Sequence, residues 1–333
     1  MEYTTLGESG LEVSRICLGC MSFGSSDWRD WVLDETDAEP IIERAIDLGI
    51  NFFDTANVYS DGASEEVLGN MLSGYDRDRL VIATKTNPHW SPESYPVGEE
   101  GRGLSRKAIE QDLQGSLHRL GMDSIDLYQT HRWDYQTPIA ETLNTLDDAV
   151  RRGDVRYIGT SSQWAYQFSS ALQTSERLGV QRFLSMQNHY NLAYREEERE
   201  MLPLCAQEGI GVIPWSPLAR GFLTRPHEEF LDTARGSFEA EGHLADWVAA
   251  YGSKGGKEIN ERVETLANDH GVTMAQIALA WVLQKDVVDA PIVGTTSVEH
   301  LEDAVEALDI DLSTSDIEYL EAPYEPVPIT GHN

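Results

Sequence analysis

The chain has 333 residues, 41% of them hydrophobic, which is enough to bury a large core, and no apolar run reaches the length of a membrane span. Its 57 acidic and 25 basic side chains give a formal net charge of −32 at pH 7, with the acids spread along the whole chain. The lack of a basic patch argues against a nucleic-acid partner, and the spread of the acids favours a halophilic protein over one with a single cation-binding surface.

The N-terminus and the cysteines indicate a reducing compartment. The first ten residues have neither a basic segment nor an apolar stretch, so we expect no secretory signal and a cytoplasmic location. Cys17 and Cys20 have the C-x-x-C spacing, and Cys205 makes the number of cysteines odd. Because no second pair exists and Cys17 lies within an apolar strand, we expect free thiols and no metal site.

Apolar runs alternate with amphipathic segments along the chain, after a predicted β-hairpin in residues 1–15. The predicted strands are 16–19, 51–53, 80–84, 125–130, 155–159, 183–187, 210–214 and 290–293. The predicted helices are 37–48, one from 64, 105–120, 137–152, 165–178, 195–208, 257–270, 273–284, 298–308 and 313–321, with long loops at 22–34, 86–103 and 221–256. The pattern predicts an α/β fold: a (β/α)8 TIM barrel with an N-terminal hairpin, extra helices and long loops, forming one domain over residues 1–333.

Three successive predicted strands end on an ionisable side chain. Asp54 ends the second strand, Lys85 the third and His131 the fourth, and Tyr59 lies in the loop after Asp54. In a parallel barrel these strand ends meet at one face, where barrel enzymes have their active sites. Each residue alone has an ordinary structural interpretation, as a cap, a solvated strand end or a turn residue. The four together predict a catalytic site.

The segment INFFDTANVYSDGASEEVLG, residues 50–69, resembles the most recognisable motif of the aldo-keto reductase family. Lys85 in VIATK and His131 in YQTH match the other members of the family's catalytic tetrad, and the resemblance runs from the hairpin to the C-terminal tail. Pieces such as LGCMSFG, HRWDY and PWSPLARG are similar to bacterial and archaeal reductases related to potassium-channel β subunits. The resemblance implies NAD(P)H-dependent reduction of aldehydes or ketones to alcohols.

The chemistry of that reaction explains the tetrad. Hydride arriving at a carbonyl carbon leaves an alkoxide that needs a proton, which Tyr59 would donate. The Lys85 ammonium would stabilise the resulting phenolate, and Asp54 would hold and orient that ammonium. His131 would polarise the carbonyl oxygen. The hydride must come from a cofactor, because no side chain supplies one.

The resemblance also implies a nicotinamide site at the strand ends. Ser161, Ser162 and Gln187 match residues that bind the nicotinamide amide, with Ser162 where Asn is usual, and Trp215 matches an aromatic residue that stacks on the nicotinamide ring. Other cofactor positions implied in this half of the site are Gly19, Cys20, Met21, Asp54, Ser216, Pro217, Leu218, Arg220 and Gly221. No G-x-G-x-x-G motif follows a strand, as expected of a family that binds dinucleotides without a Rossmann domain.

The adenine end departs from the family pattern. The cofactor positions implied there are Gly294, Thr295, Thr296, Ser297, His300 and Asp303. Many members have Lys or Arg residues that bind the 2′-phosphate, whereas this chain has Ser297 and His300, and Ala304 replaces an Asn. A helix N-terminus with hydroxyl groups still binds phosphate, and Arg220 or Arg225 could compensate. NADP is expected on family grounds, and NAD stays open because an arginine fork is missing.

Tryptophans in and near the long loops are predicted to line the substrate site: Trp28, Trp31, Trp90 and Trp133. Aromatic loops suit sugars and apolar carbonyls alike, so the small-molecule carbonyl substrate is not specified further. Two alternatives stay open. The physiological reaction could be oxidation of an alcohol or sugar, since the chemistry is reversible, or the protein could be a low-turnover regulatory protein that binds the cofactor. The sequence does not indicate an oligomeric state.

Overall fold

The N-terminal hairpin closes one end of the molecule. The structure, a computed structural model, describes residues 1–89, 103–233, 235–237 and 249–332. Strands β1 (Tyr3–Thr5) and β2 (Glu12–Ser14) pair antiparallel, as predicted. In the turn between them the Gly7 amide donates to Asp289 Oδ2 at 2.9 Å, and the Leu6 side chain is fully buried in the interior of the sheet described next.

Eight further strands form one parallel sheet in the described part of the chain. They are β3 Cys17–Gly19, β4 Phe52–Asp54, β5 Val81–Thr86, β6 Ile125–Thr130, β7 Val155–Ser161, β8 Ser185–Gln187, β9 Gly211–Val212 and β10 Ile292–Gly294. Their order in space is β10-β3-β4-β5-β6-β7-β8-β9. Backbone bonds from Ile292 N to Pro214 O and from Asp289 N to Val212 O, both 2.9 Å, join the two edges. The predicted (β/α)8 barrel is confirmed.

Helices surround the barrel, each with sequence signals at its ends. They are α1 Glu35–Asp47, α2 Ala63–Leu72, α3 Arg106–Leu120, α4 Ile139–Arg152, α5 Ala165–Leu178, α6 Met201–Glu208, α7 Gly256–His270, α8 Met274–Leu283, α9 Val298–Glu306 and α10 Thr314–Glu321. Ser105 caps α3 by accepting a hydrogen bond from Ala108 N, and Gly121, with a φ of 62°, ends it. Thr273 and Gln276 form a capping box at α8, a helix whose side chains are nearly all buried.

Two apolar cores follow from the alternation of side chains along each strand. In β4, Phe52 lies in a cluster inside the barrel, whereas Phe53 lies in the larger cluster between the sheet and the helices. Among the described residues, no helix is long and apolar enough to cross a membrane.

Two predicted elements differ from the structure. The predicted strand 210–214 is regular only at Gly211–Val212, because Pro214 has no amide hydrogen and only its carbonyl joins the ladder. The predicted helix 195–208 is wrong at its start, since α6 begins at Met201. The preceding residues form a 3-10 turn in which the buried Glu196 accepts hydrogen bonds from Tyr324 Oη and Val327 N at 2.7 and 3.0 Å. Contacts with the C-terminal segment therefore override the helical pattern.

Candidate active site

Because side chains alternate between the two faces of each strand, a set of polar side chains points into the mouth of the barrel. In three neighbouring strands, a residue of the inner core is followed two positions later by a polar residue that points the same way. The three pairs are Phe52 and Asp54, Ala83 and Lys85, and Leu127 and Gln129. His131 continues this series one residue beyond β6.

The Lys85 ammonium joins three parts of the site. Its Nζ donates to Asp54 Oδ1 at 2.5 Å, to the Thr55 carbonyl at 2.8 Å and to Tyr59 Oη at 3.4 Å. These three bonds use all the hydrogens of an ammonium group. The lysine is therefore fixed, with one N–H directed at the phenol oxygen.

The ion pair is buried, and its carboxylate has further donors. Lys85 is 0% exposed and Asp54 2% exposed. Gln129 and Gln187 donate their Nε2 atoms to Asp54 Oδ2 at 3.0 and 2.9 Å. Burial alone would lower the pKa of Lys85, but the charge and hydrogen bond of Asp54, together with Tyr59, raise it above its ordinary value. Lys85 is therefore a cation at neutral pH.

His131 is a neutral hydrogen-bond donor beside the phenol. Its ring lies edge-on to Tyr59, with centroids 5.7 Å apart and planes at 87°. Burial, followed by the charges of Arg132 and Lys85, holds the pKa of His131 well below its ordinary range. Asn87 Nδ2 lies 3.4 Å from His131 Nδ1 and can only donate, which assigns the remaining hydrogen to Nε2. The phenol of Tyr59 and the imidazole of His131 thus lie next to each other.

The Tyr59 loop and the loops around it have an unusual backbone. Ser60 and Asp61 have φ of 48° and 53°, and a Cβ on Gly24 would lie 2.4 Å from Ser60 Oγ, so the loop after β3 packs directly on the Tyr59 loop. Other non-glycine residues with positive φ in the described part of the chain are Ser162, Ser216, Ala219, Arg220 and Lys254. Most of these strained positions lie at strand ends around the site, where such strain is typical of ligand-binding loops.

Trp215 is held in a stack of three rings. His189 lies 4.2 Å from Trp215 and 4.1 Å from Tyr194 between ring centroids, with planes at 7° and 14°. The indole Nε1 donates to Ser162 Oγ at 2.9 Å. His189 also bonds to Tyr251 Oη at 2.7 Å through Nε2. The indole therefore has one covered face and a fixed orientation.

The residues at this mouth fit a nicotinamide group. The indole offers a flat ring, Ser161 lies beside Ser162 at 3.4 Å between hydroxyl oxygens, and Arg220 places its Cζ 5.7 Å from the Trp215 centroid. Gln187 uses Nε2 on Asp54 and on Gln129, so only its Oε1 remains for a ligand amide among the described residues. Pro217, Leu218 and Gly221 lie in the same loop. The donor set matches a ring, an amide and a phosphate.

The residues predicted to bind the adenine end of the cofactor form a separate group at β10 and α9. Gly294 pairs with Gly19 in the parallel ladder, and Cys20 and Met21 follow in a 3-10 turn. The Thr295 hydroxyl bonds to Ser297, which in turn caps α9. Thr296 and His300 are exposed. Burial and the charges of neighbouring glutamates raise the pKa of Asp303, and the charge of His300 acts against this shift.

The predicted tryptophans lie in different environments. Arg29 places its Cζ 4.1 Å from the Trp28 ring centroid and 5.6 Å from that of Trp31. Trp133 packs against the main core and lines a cavity with Leu104 and Phe183. Trp90 lies outside the described residues. Cys17, Cys20 and Cys205 are buried free thiols.

Several residues of the site have no signal in the sequence reasoning. Gln129 lies within a predicted strand, and its contact with Asp54 appears only when neighbouring strands are in register. Asn87, Arg132 and His189 each lie one or two residues beyond a strand end. Because every strand of the barrel is followed by such positions, this placement does not distinguish the three residues from others.

Known proteins are similar to this chain along nearly its whole length. The sequence model of the aldo/keto reductase family matches residues 15–325. A Schizosaccharomyces pombe protein with the provisional name aryl-alcohol dehydrogenase is 44% identical, over 99% of this chain and 97% of its own length. Versiconal hemiacetal acetate reductase of Aspergillus parasiticus is 43% identical over 99% and 98%, and a provisionally named aryl-alcohol dehydrogenase of Saccharomyces cerevisiae is 40% identical over 96% of each chain. These relatives are fungal, whereas the sequence motifs resembled bacterial and archaeal members. Since the match covers nearly the whole chain, this protein belongs to the aldo/keto reductase family of oxidoreductases.

Proposed function

We propose that residues 1–333 form one catalytic domain that reduces aldehydes or ketones, aromatic ones in particular, with NADPH or NADH. The observation that carries the proposal is the position of Tyr59 Oη, 3.4 Å from a fully bonded buried ammonium and on a ring that lies edge-on to neutral His131. The half-buried Trp28 and Trp31 support an aromatic substrate, as do the relatives named after aryl alcohols.

In the proposed mechanism each residue has one task. The nicotinamide, when bound, supplies the hydride. Tyr59 donates its phenolic hydrogen to the carbonyl oxygen as that oxygen becomes basic, and the Lys85 ammonium stabilises the phenolate. His131 Nε2–H polarises the same oxygen, and Asp54 keeps Lys85 charged and in place. Trp215, backed by His189, holds the nicotinamide ring against the site.

The direction of the reaction in the cell is a second question. Two relatives are named as dehydrogenases and one as a reductase. The proposed residues serve oxidation equally well, because a phenolate beside Lys85 accepts the alcohol hydrogen. Because a catalyst accelerates both directions of a reaction, the direction in the cell follows the ratio of reduced to oxidised cofactor and of carbonyl to alcohol.

The cofactor preference is expected to be weak. Family resemblance favours NADPH, but α9 contains Glu299, Glu302 and Glu306. His300 is the one basic residue within α9, and Arg44 from α1 pairs with Glu302 at 2.7 Å. These carboxylates oppose an added 2′-phosphate. We expect the Kd for NADPH and NADH to differ by no more than about tenfold.

The experiment is a titration of tryptophan fluorescence with each cofactor, followed by turnover of benzaldehyde. The variant His300→Arg should shift the ratio towards NADPH without changing the Kd for NADH. A wild-type preference above about a hundredfold for NADPH would contradict the electrostatic argument. Binding of a cofactor without turnover of any carbonyl would favour the low-turnover regulatory alternative.

The net charge predicts salt-dependent stability. We propose a halophilic, cytoplasmic protein, related to the bacterial and archaeal group, in which self-repulsion at a net charge of −32 is screened by salt. The melting temperature should rise by roughly 5 °C or more between 0.1 and 2 M KCl. Sucrose, which stabilises without screening charge, is the control. An unchanged melting temperature in KCl would contradict this proposal.

A further inference from the structure

Arg132 is a half-buried cation next to the candidate catalytic residues. It directly follows His131, and its Nη1 donates to the His131 carbonyl at 2.6 Å and reaches Ser161 Oγ at 3.5 Å. Its Cζ lies 6.0 Å from the Trp215 ring centroid. No described residue accepts a hydrogen bond from its Nε or Nη2, and no described carboxylate forms an ion pair with it.

Arg132 has no acidic partner among the described residues, although the chain has 57 acids and only 25 Lys and Arg residues. Half-buried Arg15 donates to three main-chain carbonyls instead, and three other half-buried arginines are paired with carboxylates at 2.6 to 2.9 Å. The pairs are Arg77 with Asp126, Arg119 with Glu65, and Arg195 with Glu198 and Glu321. The site around Arg132 therefore keeps protein carboxylates away in spite of their excess.

Arg132 nevertheless stays charged. Burial lowers its pKa to about 10; the Tyr59 oxygen acts against that shift and the charge of Arg220 adds to it. A cation without a counter-ion in a partly desolvated site is unfavourable, so an anion from a ligand would be stabilised there. The planar Nε and Nη2 edge suits a carboxylate in two parallel hydrogen bonds.

The position of Arg132 favours contact with the substrate rather than with the cofactor phosphates. Arg220 lies in the loop after Trp215, the segment expected to cover the pyrophosphate. Arg132 instead comes from the end of β6, directly after His131, on the side of the proposed hydrogen donors. We infer that Arg132 binds a carboxylate of the carbonyl substrate, so that the enzyme prefers anionic aldehydes and ketones such as formylbenzoates. This inference rests on the proposed function.

The test compares 4-carboxybenzaldehyde with its neutral analogue, methyl 4-formylbenzoate, at fixed ionic strength. Wild-type enzyme should prefer the acid in kcat/KM. Arg132→Gln should lower kcat/KM for the acid by about 10- to 100-fold, mainly through KM, and change that for the ester by less than about threefold. Arg132→Lys should recover part of the loss. Arg177→Gln, at an exposed arginine of α5, should change neither value.

Other outcomes separate this inference from the proposed function. Equal losses for acid and ester would overturn it, and a parallel rise in the Kd for NADPH would assign Arg132 to the cofactor. If wild-type enzyme reduces the ester but shows no preference for the acid, only this inference fails. If neither aldehyde is reduced, the proposed function fails. Calorimetric binding of 4-(hydroxymethyl)benzoate then tests whether Arg132 binds a carboxylate. Binding that is lost in Arg132→Gln supports the anion site, and equal binding overturns it.

Discussion

The Tyr59→Phe variant is expected to lose about 10²- to 10⁴-fold in kcat for carbonyl reduction, while its Kd for the cofactor stays unchanged. The substitution removes only the hydroxyl oxygen that lies 3.4 Å from Lys85 Nζ. The phenyl ring retains the edge-on contact with His131. Because Lys85 keeps Asp54 and the Thr55 carbonyl as partners, the buried ion pair remains satisfied and the fold should be preserved.

The measurement is single-turnover oxidation of NADPH with an aromatic aldehyde, with cofactor binding followed in parallel. Tyr135→Phe is the matched control, since Tyr135 is an exposed tyrosine in the loop after β6, and it should behave like wild type. If Tyr59→Phe reduces the aldehyde at the wild-type rate, the phenol is not the acid. The neutral His131 would then become the candidate, with His131→Phe as the deciding variant.

The strands and helices were predictable where the signal is local. Helix α5, Ala165–Leu178, and strand β6, Ile125–Thr130, match their predicted bounds, because an apolar period and a terminal glycine or polar residue define each of them. The region 195–200 was not predictable from its helical pattern. Its conformation depends on Tyr324 and Val327, which bond to Glu196 from more than a hundred residues away.

The tetrad was predictable from the sequence, whereas the residues that hold Asp54 in place were not. Asp54, Lys85 and His131 mark the ends of three apolar runs, a pattern visible in the chain itself. The second oxygen of Asp54 is bonded by two amides that lie 75 and 133 residues further along the chain. Such contacts depend on the register of neighbouring strands, which a single sequence does not specify.

The ring stack on Trp215 and the lack of an acidic partner for Arg132 were likewise not predictable from the sequence. His189 has no feature in the sequence that separates it from other histidines, and only ring geometry reveals its contact with the indole. Arg132 lies next to the tetrad without a carboxylate partner among the described residues. Since acids occur throughout the chain, the sequence does not indicate which arginines have a carboxylate nearby, because those contacts form only in the folded chain.

Replacing Lys85 by Met should destabilise the protein strongly as well as inactivate it. The change leaves the carboxyl group of Asp54, which is 2% exposed, without its cationic partner, and removal of one member of a buried ion pair costs about 3–5 kcal/mol. The two amides on Oδ2 satisfy hydrogen bonds but bring no positive charge. Urea denaturation should therefore show a lower midpoint with little change in slope. Lys257→Met, at an exposed lysine of α7, should leave the midpoint in place.

The double variant Asp54→Asn/Lys85→Met separates loss of the charge pair from loss of packing. An amide at position 54 removes the unpaired charge, so the double variant should recover most of the stability lost by Lys85→Met. Its activity should stay low, because no ammonium remains beside Tyr59 Oη to stabilise the phenolate. If the double variant is no more stable than Lys85→Met, the lysine acts mainly through packing of its buried chain. If it is stable and fully active, the ammonium has no part in the transfer of the proton, and the proposed role of Lys85 is wrong.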